Sequence, residues 1–180
     1  VHFASKSGMD IEGLGPAIVE KLLQSKLIRD VSDIYYLKYE NIIELDNFKE
    51  KSNNNLINAI KKSKIQPLSR LLFALGIRFV GAHISDVLAK NYEDLGELAN
   101  ADFDDLSQIF EIGPRIAQSA AAFFSQSQNK IIIENLRKAG LNFKSGKKNI
   151  TLKEEFSNKT FVLTGKLETL TRDEAKTIIE

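Results

Sequence analysis

The sequence of 180 residues contains no cysteine, which excludes disulfides, zinc–thiolate sites and cysteine nucleophiles together. Its two histidines, His2 and His83, are too few for a histidine-based metal centre or a histidine relay. The formal net charge is only +1, so the chain is neither a strongly basic protein that coats polyanions nor an acidic tail. Apolar runs such as 71–75 and 131–133 are far shorter than the ~20 residues of a membrane span. With no visible signal peptide and a first residue of Val1, we expect an intracellular piece of a longer protein.

Helical signals dominate the first three quarters of the chain. Three prolines and ten glycines are few, and strand-like alternation is scarce before residue 158. Pro16 and Pro114 each follow a glycine and predict helix starts, because the first helical position does not need an N–H group. Further helices are predicted over 68–75, ended by a glycine, and over 129–139, also ended by a glycine. Residues 8–140 are therefore predicted to form helices of ~8–16 residues joined by short turns.

The composition changes after this helical region. Residues 144–149 are polar, basic and contain a glycine, which is typical of a linker. Residues 159–165 are rich in β-branched and aromatic side chains and predict a strand, and residues 171–174 form a capping box at the start of a helix. One strand and one helix cannot bury a core, so a second domain would be incomplete. The predicted organisation is a helical domain at 1–143, a linker at 144–155 and the start of another domain at 156–180.

Four similar segments repeat within the helical region. Aligned on Gly15, Lys49, Gly81 and Gly113, they are spaced by 34, 32 and 32 residues. Each has apolar residues four positions before and directly before this anchor, and again seven and eight positions after it. With 43% hydrophobic residues, one such column of four would be apolar by chance in roughly 3% of cases, yet four columns are. The pattern indicates a tandem array of one structural unit.

Each unit reads as a short helix, a tight hairpin and a longer helix. In Gly13-Leu14-Gly15 the apolar residue is predicted to fill the core between the helices, while the glycines turn the backbone with φ > 0 and leave nothing projecting. The N–H groups that begin the second helix then face outward with the positive end of its dipole. They form a phosphate site made from backbone alone, and such contacts fix position on a duplex without reading its sequence.

These units resemble helix-hairpin-helix motifs, the backbone-binding elements of many DNA repair and replication proteins. Four of them in tandem resemble more narrowly the bacterial NAD-dependent DNA ligases, and the C-terminal residues resemble the opening of the BRCT domain of those enzymes. The segments that carry the resemblance are 2–5, 9–15, 51–52, 67–78, 80–81, 112–114, 159–165 and 171–175. The fold that this implies is mainly α, with four tandem helix-hairpin-helix motifs of the SAM-like or RuvA-like type before a truncated α/β BRCT start.

The resemblance implies non-sequence-specific binding of duplex DNA, along the phosphate backbone on the minor-groove side. It also implies a parent enzyme that seals nicks during DNA replication and repair with an adenylated lysine, NAD and Mg, and that carries a zinc module. Those parts lie outside the matched segment, so no catalytic residue, cofactor or metal is expected here, and this chain alone should be inactive. The expected partners are nicked double-stranded DNA and the upstream ligase domains, in the bacterial cytoplasm at the nucleoid and away from membranes.

The candidate DNA-backbone contacts lie at the four hairpins. They are Gly13, Gly15, Lys49, Lys51, Arg78, Gly81, Gly113 and Arg115.

Three hairpins depart from the usual pair of glycines. The second has Asp46-Asn47-Phe48-Lys49, where Lys49 would adopt the left-handed conformation at a cost or change the hairpin. That unit either binds phosphate like the others or is a spacer whose lysine side chains contact phosphate. The third and fourth have Phe79 and Glu111 at the first glycine position, and the carboxylate of Glu111 should point away from a phosphate.

Two other interpretations stay open at this point. One is a helix-hairpin-helix scaffold of another repair or recombination protein, which would not be expected to continue into the strand at 159–165. The other is a helical protein–protein adaptor without a nucleic-acid role. For an adaptor, bulkier residues at Gly13 and Gly15 would affect folding only, whereas a DNA-binding unit would lose DNA affinity while still folded.

Overall fold

The computed structural model describes residues 1–43 and 49–146. Val1–Lys147 form one compact unit. Its elements are α1 (Pro16–Gln24), a 3₁₀ turn (Asp33–Tyr36), α2 (Tyr39–Ile43), α3 (Glu50–Ser63), α4 (Leu68–Ala74), α5 (Ala82–Asn91), α6 (Leu95–Asn100), α7 (Phe103–Ser107), α8 (Pro114–Ser125) and α9 (Ser127–Lys138). The prediction of a mainly helical protein is confirmed. The strand predicted at 159–165 and the capping box at 171–174 lie outside the described residues, so the BRCT start stays a prediction.

The helix ends follow the local signals in the sequence. Pro16 and Pro114 are the first residues of α1 and α8, as expected for a residue without an N–H group. Helix α4 ends before Gly76 and α9 before Gly140, and these glycines have φ values of 69° and 83°. Only glycine adopts such values without steric cost, which is why both helices stop there. Several helices are shorter than predicted, with five residues in α2 and in α7.

A hydrophobic core runs through the helical unit. Full burial of one such large apolar side chain contributes roughly 1.5–3 kcal/mol. The largest side chains that are fully buried are Phe124, Met9, Leu22, Ile42, Leu56, Leu68, Leu71, Leu72, Leu88, Leu95, Leu98 and Leu106. Because these residues come from α1 to α8 and the N-terminal segment, the packing fixes where the turns between the helices point.

The N-terminal segment packs on α4. His2 Nε2 lies 2.9 Å from the carbonyl oxygen of Phe73. Arg70 Nε donates to the carbonyl oxygen of Gly8 at 2.8 Å, and the same guanidinium donates to the carbonyl oxygen of Lys6. These bonds tie the chain that leads into the first hairpin to the helix that leads into the third.

The end of the described chain pairs with the segment before α6. Leu95 N donates to the carbonyl oxygen of Phe143 at 3.0 Å, and Ser145 N donates to that of Glu93 at 2.8 Å. Lys144 forms an isolated antiparallel bridge with Asp94. Residues 144 and 145, which the sequence assigns to a linker, are therefore hydrogen-bonded or bridged to the helical unit. The rest of the predicted linker, from 147 onward, lies outside the described residues.

Candidate functional site

Three of the four repeat units contain a hairpin of one shape. The residue two positions before the anchor has a positive φ, which is 88° at Gly13, 66° at Phe79 and 72° at Glu111. The apolar residue that follows it is buried in each case, and its N–H donates to the carbonyl three residues earlier at 3.0–3.2 Å. The buried residues are Leu14, Val80 and Ile112. The prediction that this residue fills the core is confirmed, and the turn forms with glycine, phenylalanine or glutamate at its first position.

The anchor glycines precede the second helix of each unit. Gly15, Gly81 and Gly113 are the N-caps of α1, α5 and α8, with φ values of −79°, −82° and −75°. The expectation that the glycines at these corners adopt φ > 0 is thus right for Gly13 and wrong for the three anchors, because an N-cap residue has extended backbone.

Nothing in the described part of the fold requires glycine at the three anchor positions. A Cβ built at Gly15, Gly81 or Gly113 would meet no heavy atom within 4 Å. Their backbone conformation is one that any residue adopts, so neither strain nor packing among the described residues requires glycine. A side chain would instead fill the open space in front of the helix start.

The second unit shares the helix start of the other three. Lys49 is the N-cap of α3 with φ −94° and ψ 155°, and its carbonyl accepts from Asn53 N at 3.0 Å. Of the two alternatives given by the sequence, the left-handed conformation of Lys49 is wrong, since the anchor position is extended in every unit, and the altered hairpin stays a prediction. Lys49 and Lys51 are both exposed. The turn that precedes them, residues 44–48, lies outside the described residues.

The anchored helices differ from α6 and α7 in how they begin. Asp94 accepts from Gly96 N at 2.5 Å and from Glu97 N at 3.0 Å, which caps α6. Asp102 and Asp105 form a capping box at α7. Helices α1, α3, α5 and α8 have no side-chain cap. Because the first N–H groups of a helix lack an intrahelical acceptor, these four starts offer donors at the positive end of the dipole.

Arg78 and Arg115 come together at one aromatic ring. Their guanidinium carbons lie 4.8 and 5.9 Å from the centroid of the Phe79 ring. Arg78 belongs to the third hairpin, whereas Arg115 lies in the first turn of α8, after the fourth. Both arginines are exposed. The sequence placed each at a hairpin, and the structure adds that they form one cluster.

Two polar contacts hold the third and fourth hairpins to each other. His83 Nε2 lies 2.6 Å from Glu111 Oε2, and Ser119 Oγ donates to the carbonyl oxygen of Arg78 at 2.7 Å. The carboxylate of Glu111 is thus engaged by the imidazole on α5. Sequence reasoning missed both contacts, because their partners are 28 and 41 residues apart and no local spacing rule relates them.

Residues 1–43 and 49–146 give little support for a metal site or a membrane-spanning segment. No group of three or more histidine or acidic side chains there is arranged to hold a metal ion. In that same part of the chain, no helix is both long enough and apolar enough to cross a bilayer.

Comparison with known proteins identifies first the class of the hairpins and then their relatives. Residues 70–133, which contain the third and fourth hairpins, match the family described as a helix-hairpin-helix motif. The whole chain is 48% identical to a DNA ligase of Thermoanaerobacter sp. (strain X514), and 99% of it aligns at 44% identity with DNA ligases of Syntrophus aciditrophicus and Flavobacterium johnsoniae. The chain spans only 26–27% of the length of these relatives. The resemblance to bacterial DNA ligases is confirmed, and the match is to about a quarter of such an enzyme.

Proposed function

We propose that the helical unit binds the phosphate backbone of duplex DNA, without reading base sequence, as part of an NAD-dependent DNA ligase that seals nicks in replication and repair. The observation that carries this proposal is the set of anchors at Gly15, Gly81 and Gly113. Each is a helix start without a side-chain cap, in front of which a Cβ would meet nothing. No side chain of the described residues covers the surface at these three equivalent helix starts, so a ligand with a repeating structure could approach all three closely. The phosphate backbone of DNA is such a ligand.

The free amides at these corners can be named. At the first hairpin, Pro16 has no N–H and Ile18 N donates to the carbonyl oxygen of Gly15 at 3.1 Å. The amides of Gly15 and Ala17 are then the donors left for an anion. The same pattern recurs at the fourth hairpin, where Ile116 N donates to Gly113 at 2.9 Å and leaves the amides of Gly113 and Arg115. Two N–H donors at a helix start form an anion site.

We infer that all four repeat units act in this way. The second unit begins α3 from the same extended, uncapped anchor, and Lys49 and Lys51 add positive charge beside it. Its lysines would neutralise phosphates where the other units rely on amides. Glu111 is compatible with this role because its carboxylate is held by His83.

The overall charge fits backbone recognition of modest strength. With a net charge of +1 the chain lacks a large positive field, so we expect isolated affinity in the non-specific range of ~10⁻⁴–10⁻⁶ M at physiological salt. Attachment to other DNA-contacting domains would raise the overall affinity, because those domains would hold this unit at a high effective concentration near the DNA. In such a ligase NAD supplies the AMP group, while this region would hold the two ends of the nick in line.

We further propose the domain limits given by the sequence: a helix-hairpin-helix domain at 1–143, a linker at 144–155 whose first two residues pair with the helical unit, and the first part of a BRCT domain at 156–180. NAD, Mg and Zn would be bound by the parent enzyme outside this chain. The chain alone would bind DNA but not join it.

A binding series on nicked and intact duplexes tests the function. We expect the labelled duplexes to be bound with similar affinity whatever their base sequence, and the affinity to fall steeply from low to physiological salt. A strong preference for one sequence, or no binding at low salt, would contradict the proposal.

The same measurement separates the adaptor from the two DNA-binding interpretations, but it does not separate those two from each other. A scaffold of another repair or recombination protein would also bind duplex DNA, but its chain would not be expected to continue into a BRCT domain. A protein–protein adaptor would bind no duplex at any salt concentration.

A further inference from the structure

Phe79 is an apolar residue held at the surface in a conformation that phenylalanine rarely adopts. Its φ is 66°, and 49% of the residue is exposed. The left-handed region is sterically unfavourable for a bulky residue, and exposure of a ring to water brings no stability. Residues kept in such conformations concentrate at functional sites.

The ring has two cationic neighbours that come from separate hairpins. The guanidinium carbon of Arg78 lies 4.8 Å from the ring centroid and that of Arg115 lies 5.9 Å from it, both within cation–π distance. Ser119 on α8 holds the carbonyl oxygen of Arg78 at 2.7 Å, so the third hairpin is fixed relative to the helix that bears Arg115. We call these three side chains the Arg78–Phe79–Arg115 cluster.

We propose that the Arg78–Phe79–Arg115 cluster enters the minor groove of the duplex between the phosphates bound by the third and fourth hairpins. This inference rests on the function proposed above and specifies what fills the groove. The ring would contact the apolar faces of deoxyribose and the base edges, as inserted apolar side chains do in minor-groove proteins. The two guanidiniums would lie along the negative potential of the groove.

Location and charge favour DNA over a protein partner. The cluster stands beside the uncapped starts of α5 and α8, which also attract anions. A protein-docking site built on an aromatic ring would not need two cations at its edges. Minor-groove contacts carry a degenerate pattern, so a ring inserted there adds affinity without strong sequence preference.

Phe79→Gly and Phe79→Asn are the informative variants, because glycine and asparagine both accept a positive φ. We expect the thermal midpoint to stay equal or rise, since the strained conformation is relieved. Duplex affinity should fall about fivefold, as expected for losing burial of the exposed half of a ring. The salt dependence of duplex affinity should not change, because it is set by the number of cationic side chains that contact phosphates, and these variants remove none. Arg115→Gln should instead lower the salt slope by about one unit.

A fluorescence experiment locates the ring directly. The chain has no tryptophan, so F79W introduces a single indole. We expect its emission to be quenched when nicked duplex is added. The matched control is I131W, at an exposed position of α9 that belongs to none of the four hairpins, and we expect its emission not to change.

The possible results distinguish failure of the minor-groove inference from failure of the proposed DNA-binding function. If the unsubstituted chain binds no duplex, the proposed function fails. If that chain binds and Gly15→Ala weakens it, but the Phe79 variants bind as tightly as before and F79W emission is unchanged, only the minor-groove inference is overturned. Self-association that Phe79→Gly abolishes while DNA affinity is unchanged would assign the ring to protein docking and overturn it as well.

Discussion

His83 Nε2 lies 2.6 Å from Glu111 Oε2, and this contact joins the start of α5 to the turn that leads into α8. Both residues are exposed, so solvent screens the pair and its contribution to stability is small. The location of this pair is more important for the proposed DNA binding than its contribution to stability. The carboxylate occupies the first position of the fourth hairpin, next to an anchor that we assign to a phosphate.

Removing the charge of Glu111 should strengthen DNA binding. In Glu111→Gln no carboxylate opposes a phosphate at the fourth hairpin, so we expect duplex affinity to rise about two- to threefold at low salt and less at high salt. Anisotropy titrations at two salt concentrations measure this. Glu134→Gln on α9 is the control, because it removes the same charge elsewhere and should change little. An unchanged affinity in Glu111→Gln would place the carboxylate away from bound phosphate.

Two glycine variants separate DNA contact from folding. Gly15→Ala adds a methyl group to an open N-cap with ordinary φ, so unfolding free energy should fall by less than about 1 kcal/mol. Duplex affinity should fall roughly tenfold, because a hydrogen-bonded phosphate contact is blocked. Gly140→Ala places alanine at φ 83° and should cost ~1–2 kcal/mol of stability with unchanged affinity. Urea unfolding and anisotropy give both quantities, and equal behaviour of the two variants would argue for a purely structural role.

The buried residue inside the hairpin should matter for stability. Leu14 is 3% exposed, and Leu14→Ala should lower the free energy of unfolding by about 2–5 kcal/mol through the lost burial and the cavity left behind. Leu23→Ala, at a half-exposed position of α1, should lower it by less than about 1 kcal/mol. Urea denaturation monitored by circular dichroism gives both values. Similar losses would mean that the hairpin is not anchored in the core.

Tyr35 should make the protein less stable in strong alkali. Burial raises the pKa of its hydroxyl to about 12, although the hydrogen bond with Ser63 acts in the opposite direction. The unfolded chain ionises near pH 10, so the folded state holds the proton more tightly. This stability is fully present below pH 10 and is lost as the pH rises through 12, by up to about 3 kcal/mol.

Tyr35→Phe isolates that dependence. Between pH 10 and pH 11.5 this variant should lose less stability than Tyr36→Phe, because Tyr36→Phe retains Tyr35 and therefore shows its loss in addition to the general alkaline effect. Tyr36 is the matched control because it lies next in sequence and is exposed. If Tyr35→Phe and Tyr36→Phe lose stability in parallel, the buried hydroxyl is not responsible.

Local signals in the sequence predicted the helix boundaries well, because each depends on a few neighbouring residues. Pro16 and Pro114 start helices, and Gly76 and Gly140 end them. Among the described residues, the repeat also predicted burial directly before the anchor and seven positions after it, whereas Leu23, eight positions after Gly15, is 48% exposed. These features follow from backbone hydrogen bonding and burial within a short window.

The geometry of the candidate site could not be predicted in the same way. The repeat placed Phe79 and Glu111 at the first glycine position of their hairpins, but phenylalanine and glutamate disfavour positive φ, so the residue types argued against the turn that forms there. Lys49 does not adopt the left-handed conformation that the sequence offered as one alternative, because it is an N-cap residue with φ −94°. The meeting of Arg78 with Arg115 depends on how two units pack, which a repeat within one chain does not specify.

In the proposed complex, backbone amides at the hairpin corners bind the DNA backbone, and amide NMR observes these groups themselves. Nicked duplex would be titrated into ¹⁵N-labelled protein, followed by a duplex of unrelated sequence. We expect both duplexes to shift the same set of amides, with the largest shifts at Gly15, Ala17, Gly81, Gly113 and Arg115. Shifts confined to other surfaces, with these amides unmoved at saturation, would contradict it.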